Sequence, residues 1–157
     1  KTVAITVNGD AISEANETFA LNLSGAVNAT LVGPPGQGTI TNDDALPAIS
    51  IADVSEAEGN AGANDFVFFT LTLTPASAQT VTVNFATADG TAIAGTDYTA
   101  RSGTVAFNPG VTSQLVWVLN AGDTTVEPDE TFLMNLTNPI NATFSDAQGQ
   151  ATLVNDK

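Results

Sequence analysis

Apolar and polar residues alternate along most of this chain. Val3, Ile5 and Val7 are separated by Ala4 and Thr6, and Phe19, Leu21 and Leu23 by Ala20 and Asn22. Val67, Phe69, Leu71 and Leu73 share one side of a run whose other side carries Thr70, Thr72 and Thr74. A period of two is that of a half-buried antiparallel strand, and the abundant Thr and Val suit strands. No stretch shows a 3.6-residue period. The pattern predicts strands near residues 2–7, 18–23 and 37–41, then near 48–53, 65–74, 80–87, 97–100, 103–107, 113–120, 131–137 and 150–154. Residues 113–120 (SQLVWVLN) are apolar on both faces, which predicts a strand that is central or covered by a neighbour. Phe66 and Phe68 break the alternation of their run and mark a bulge or a contact surface. Turn chemistry recurs at AsnGly (8–9), ProProGly (34–36), AspGly (89–90) and AsnProGly (108–110). Short strands between regular turns predict an all-β antiparallel sandwich.

The strand pattern is said twice. Residues 9–23 (GDAISEANETFALNL) are answered by residues 122–136 (GDTTVEPDETFLMNL). The match continues without a gap, with NAT at 28–30 and 141–143, GQ at 36–37 and 149–150, and TND at 41–43 against VND at 154–156. A constant offset of about 113 residues is the mark of a tandem module. Residues 48–157 then hold a complete copy and residues 1–44 only the last strands of a preceding one. Residues 45–47 form a short linker, stiffened by Pro47. The partial copy leaves Phe19, Leu21, Leu23 and Ile40 without an opposing sheet. Either further sequence covers that face, or a neighbouring copy adds strands to it and builds a fibre.

Composition narrows the partners. The chain carries 17 acids against 3 bases, a formal net charge of −14. Such a surface repels nucleic acid and anionic membrane and attracts cations. A hydrophobic fraction of 43% with ordered alternation argues for a packed core rather than disorder. No run approaches the ~20 apolar residues that cross a bilayer, so membrane insertion is not expected. Without cysteine there is no disulfide or thiolate metal site. Without histidine most zinc sites and every Ser-His-Asp or Cys-His arrangement are excluded. The remaining acids lie on short loops with no deep cleft implied, so the chain is read as not an enzyme.

Residues 87–98 (TADGTAIAGTDY), 102–110 (SGTVAFNPG) and 122–132 (GDTTVEPDETF), with the opening VSEAEGNAG at 54–62, resemble the Calx-β repeat. That family occurs in the calcium sensor of sodium–calcium exchangers, in integrin β4 and in long bacterial surface and secreted proteins, and the wording here is most similar to the bacterial extracellular type. The resemblance implies a seven-stranded, immunoglobulin-like antiparallel sandwich. In the calcium-binding members carboxylates gather at one end of it. Carried across, the metal positions are Glu58 after the first strand, Asp89 in the DGTA loop, Asp123 and Glu127 in the acidic turn, and Asn155 and Asp156 at the close. The partial repeat supplies Asp10, Glu14, Asp43 and Asp44. The chemistry fits Ca2+, a hard cation that takes about 6–8 oxygens. Lys157 in the closing run, and Gly122 where strong binders add an acid, imply weaker binding and fewer ions. Asp97 is expected to pin its loop by hydrogen bonds, and Glu17 and Glu130, each before Thr-Phe, to serve the turn.

These readings predict a non-catalytic structural module of a secreted or cell-surface tandem-repeat protein, of bacterial type, serving as adhesin, stalk or filament. Its partners would be neighbouring repeats or copies of itself, with weakly bound Ca2+ stiffening the joints. The alternatives are a calcium-sensing regulatory module or a glycan-binding module. The last needs exposed aromatics, and the only Trp and Tyr, Trp117 and Tyr98, fall at positions read as core or loop-pinning.

Overall fold

A computed structural model describes residues 1–60 and 65–157. Residues 61 and 62, the end of the opening motif at 54–62, lie outside the described residues. The first pair of strands, β1 (Glu17–Leu21) and β2 (Gly36–Ile40), forms a small antiparallel sheet of its own. There follow β3 (Ala48–Ile51), β4 (Val54–Ala57), β5 (Asp65–Thr74), β6 (Val81–Asp89), β7 (Ser102–Phe107), β8 (Ser113–Asn120), β9 (Glu130–Ile140), β10 (Thr143–Phe144) and β11 (Gln148–Val154). They make two sheets, in the orders β10-β3-β5-β8 and β4-β11-β9-β6-β7. The sheets enclose one core. Val67, Phe69 and Leu71 of β5 and Val116 and Val118 of β8 meet Val83 of β6 and Phe132 and Met134 of β9, all buried.

The predicted strand at 48–53 is two strands. The chain leaves the first sheet after Ile51 and joins the second at Val54, where β4 runs parallel to β11. Asp53 holds the step by accepting a hydrogen bond from the Gln150 amide at 2.8 Å.

Three expectations need correction. Residues 2–7 form no strand, and Val3, Ile5 and Val7 are exposed. Their counterparts in the complete copy are Leu115–Asn120 of β8, which pair with β5. Among the described residues nothing pairs with residues 2–7 as β5 pairs with β8, so the alternation joins no ladder here. Residues 97–100 are not a strand either. Tyr98 makes only isolated bridges, to Ala94 and Asn120. Finally, β8 is an edge strand rather than a central one. Its outer face is open, so Trp117 is 43% exposed and not core.

The sequence repeat is reproduced in hydrogen bonds. Glu17 pairs with Ile40 and Phe19 with Gly38 in β1–β2, as Glu130 pairs with Leu153 and Phe132 with Ala151 in β9–β11. What covers the two pairs differs. Phe132 stacks on Tyr98 at 4.2 Å and meets Phe69 edge-on at 5.9 Å. Phe19 has no such cover and lies over Gly38, where an added Cβ would fall 2.3 Å from its ring.

The partial copy also touches the complete one. Ser13, 2% exposed, bridges to Ser77 in the β5–β6 turn, and its carbonyl accepts a hydrogen bond from the Ala78 amide at 3.3 Å. Ser13 sits between Asp10 and Glu14, so the acidic loop of one copy seats on the opposite end of the next.

Candidate metal centre

The acids of the complete copy converge at the end of the sandwich where β4 and β11 finish. Glu58 follows β4 directly. Its amide donates to the Val154 carbonyl at 2.8 Å, and its carbonyl accepts from the buried Asn120 side chain at 2.7 Å. Its own carboxylate accepts from the Asp123 amide at 3.3 Å. The loop of Asp123 can approach this closely because residue 122 is glycine. A Cβ there would stand 2.5 Å from the Gly59 carbonyl oxygen and 2.6 Å from that of Glu58. Gly122, which the sequence reads as a missing acid, is a packing requirement.

Two sets of carboxylates result. Glu58, Asp123 and Glu127 can bring an oxygen each within 4.8 Å of one another, and so can Asp97, Glu127 and Glu130. Glu127 belongs to both. Glu58, Asp97, Glu127, Glu130 and Asn155 line a cleft of about 10 Å³, room for one water-sized body. Burial first, then the charges of Asp123, Glu58 and Asp97, hold the Glu127 carboxyl above its usual range. Burial, then Asp97 and Glu127, does the same to Glu130. Carboxylates that raise one another in this way are neutralised by protons or by a cation. The donors are all hard oxygens, the set that suits Ca2+ or Mg2+.

The other predicted positions fall as follows. Asn155 orients Glu127, accepting from its amide at 3.3 Å, and donates its own amide to Asp129 at 3.1 Å. Asp156 is paired with Lys157, whose hydrogen bond holds the Asp156 carboxyl below its usual range. The Lys157 ammonium also donates to the Gly59 carbonyl, and the nearby Glu58 and Asp123 charges help to raise its pKa after the larger effect of Asp156. Asp89 stands in neither set. It accepts from the Tyr98 hydroxyl at 2.6 Å and the Ala94 amide at 2.9 Å, and these bonds lower its pKa. Tyr98 is pushed up to about 12, by burial first and then by Asp89.

Asp97 and Glu130 are the residues that sequence reasoning gave other roles. Asp97 does pin its loop, accepting from the Ile93 amide at 2.7 Å, yet it also stands in the second carboxylate set. The signal available was the repeat of Glu17 at Glu130.

In the partial copy Asp10, Glu14, Asp43 and Asp44 line a cleft of about 400 Å³. Its loops are tied as in the complete copy. The Glu14 amide bonds Asn42 at 3.0 Å, the Asn42 amide bonds Asn16 at 2.9 Å, and the Ile12 amide bonds Asp10 at 2.8 Å. The same pattern links Glu127 to Asn155, Asn155 to Asp129, and Thr125 to Asp123. Among the described residues, no three of these partial-copy acids converge as the others do.

The zebrafish (Danio rerio) adhesion G-protein coupled receptor V1 is 35% identical over 144 residues, covering 87% of this chain and 2% of the receptor. Sodium/calcium exchanger 1 of Canis lupus familiaris is 49% identical over 60 residues, covering 38% of this chain and 6% of the exchanger. The chain thus spans a small fraction of these relatives. Among solved structures, the apo-form Calx CBD1 domain superposes with a TM-score of 0.62 at 22% identity, over 72% of this chain and 100% of that one. CBD12 from CALX1.2 superposes at 0.60 and 23%, over 69% of this chain and 45% of that one. The Calx-beta domain profile matches residues 1–45 and 51–156, and the chain belongs to the Calx-beta domain family.

Proposed function

We propose that the chain is a non-catalytic Ca2+-binding module, a link in an extracellular tandem array that serves as stalk, adhesin or filament. The observation that carries this reading is the meeting of Glu58, Asp97, Asp123, Glu127 and Glu130, drawn from separate segments to one end of the sandwich. A bound Ca2+ supplies positive charge that allows these carboxylates to stay ionised together. Glu127, common to both sets, is its central ligand. Asn155 orients Glu127, Asn120 fixes the backbone of Glu58, and Gly122 lets the Asp123 loop close on it. Asp89 takes no direct part in this arrangement and braces the loop that presents Asp97. Lys157 lowers the affinity by holding a competing charge beside Glu58 and Asp123. The seat of Ser13 on Ser77 supports a role at joints, because the loop between Asp10 and Glu14 is also the loop that contacts the next module. Division into residues 1–44, a linker at 45–47 and residues 48–157 follows from the same repeat. The adhesion receptor relative supports a cell-surface setting.

Thermal melting with Ca2+ and then with chelator tests the proposal. A hundredfold excess of ligand over Kd stabilises the folded state by about 2.7 kcal/mol. The melting temperature should rise with Ca2+ and not with added monovalent salt of equal ionic strength, and Glu127→Gln should abolish most of the rise. A melting temperature indifferent to Ca2+ would remove the ion from this account.

A further inference from the structure

The AsnGly pair at 8–9 reads from sequence as a turn, and the fold makes no turn there. Residues 1–10 form neither strand nor turn, and Asn8 and Gly9 are exposed. Among the described residues, neither the Asn8 side chain nor the main-chain amide of either residue makes a hydrogen bond. Nothing lies within 4 Å of a Cβ built at Gly9. The pair is therefore free to take the geometry of a reaction that asparagine undergoes with its own main chain. The Gly9 nitrogen attacks the Asn8 side-chain carbonyl carbon. The proton of that nitrogen and the side-chain amino group depart as ammonia, and a succinimide ring is left. Water then opens the ring at either carbonyl, giving aspartate or isoaspartate. Glycine presents its nitrogen with the least obstruction, because it has no Cβ.

Elsewhere the sequence and the fold withhold this chemistry. AsnGly occurs nowhere else in the chain. Asn108 and Asn138 precede proline, which has no N–H to attack with. The Asn42 side chain accepts from the Glu14 amide at 3.0 Å and donates to the Asp44 carbonyl at 2.9 Å. Asn155 accepts from the Glu127 amide at 3.3 Å, and Asn120 is 2% exposed. AspGly at 89–90 is the acid form of the same pair, and it is locked. Asp89 accepts from the Tyr98 hydroxyl at 2.6 Å and the Ala94 amide at 2.9 Å, and a Cβ at Gly90 would stand 2.3 Å from the Thr131 carbonyl oxygen.

Asn8 also has a defined setting, for it lines the partial-copy cleft with Asp10, Glu14, Asp43 and Asp44. We propose that Asn8–Gly9 is a self-modifying site, at which the chain converts Asn8 to an acid and adds a further carboxyl to this cleft. The change consumes water and needs no enzyme. It raises the negative charge of the cleft and with it the attraction for cations. The complete copy cannot follow, because the residue at the place of Asn8 is Ala121. The two copies of the loop therefore diverge in charge as the protein ages.

Peptide mapping by mass spectrometry tests this on the full chain, incubated in mildly alkaline buffer and sampled over time. Asn8 should convert before any other asparagine, with isoaspartate among the products, and faster as pH rises. Gly9→Ala should slow the conversion severalfold while circular dichroism and melting temperature stay near those of the parent. Urea sufficient to unfold the chain should leave the rate at Asn8 nearly unchanged, because the folded chain does not restrain it, and should speed conversion at Asn42 and Asn155. An Asn8 that stays intact while other asparagines convert, a rate at Asn8 indifferent to Gly9→Ala, or a rate at Asn8 that rises severalfold in urea would overturn the proposal. The last result would mean that the fold holds the pair away from the reactive geometry.

Discussion

Gly122→Ala should damage the complete module, and Gly9→Ala, the same change at the matching place in the partial copy, should not. At Gly122 the new Cβ would lie 2.5 Å and 2.6 Å from the carbonyl oxygens of Gly59 and Glu58. Carbon–oxygen contacts settle at about 3.3 Å or more, so the loops must part by about 0.8 Å. The obstacle is backbone on both sides and cannot turn aside as a flexible side chain would. Overpacking of this kind costs about 1–3 kcal/mol. A cost of about 2 kcal/mol lowers the melting temperature of a domain this size by roughly 6–10 °C. The same displacement draws the Asp123 amide away from the Glu58 carboxylate, now 3.3 Å apart, so Ca2+ affinity should fall with stability. At Gly9 nothing lies within 4 Å of the added carbon, and the change should stay within about 0.5 kcal/mol. Differential scanning calorimetry and calorimetric Ca2+ titration of both variants read the two effects. If Gly122→Ala melts and binds like the parent, the close approach of these loops does not hold Glu58 in place and the account of the site is wrong.

Other outcomes follow from the same contrasts. Phe132→Ala should cost about 3–5 kcal/mol as a buried aromatic, whereas Phe19→Ala should cost less than about 1 kcal/mol; urea unfolding compares them, and equal losses would mean that the β1–β2 face is covered in solution. Tyr98 is the only tyrosine, so ultraviolet titration reads it alone and should give about 12 rather than 10.0. A raised folded-state pKa means that this contribution to stability is intact below pH 10.0 and lost as pH rises through about 12. Asp89→Asn should bring the titration down toward the ordinary value, and no change would remove Asp89 from the cause. Lys157→Met should tighten Ca2+ binding severalfold by removing a competing charge, and calorimetric titration showing weaker binding would make Lys157 a support of the site instead.

Alternation announced the long strands well, because it reports which residues face a core. It does not report whether a partner strand exists. Residues 2–7 and Leu115–Asn120 occupy the same place in the repeat, and only the second has β5 beside it. The two-faced apolar run of β8 was visible, but sequence could not tell a buried central strand from an edge with an open outer face. At the site, the motifs pointed to Glu58, Asp123 and Glu127, three carboxylates that the fold brings near one another. They could not rank Asp89, at the end of β6, against Asp97 in the loop that follows, since their roles depend on which one the Tyr98 hydroxyl reaches. Glu130 was hidden by its place at the start of β9, and Gly122 by the absence of a side chain, because its role rests on a carbonyl contact far away in sequence.

The parallel pairing of β4 with β11 has a mechanical consequence. The chain enters the complete module by β3 and β4 and leaves it by β11, and β4 and β11 run side by side in the same direction from Val54–Ala151 to Ala57–Val154. Tension applied at the two ends of the module loads this ladder in shear. Its rungs share the load and rupture together, whereas a ladder pulled from one end opens one rung at a time. Resistance to forced unfolding is then governed by the rate at which this short clamp breaks. The next hydrogen bond beyond it is donated by the Glu58 amide to the Val154 carbonyl, so the force-bearing clamp ends at the residue that opens the carboxylate cluster.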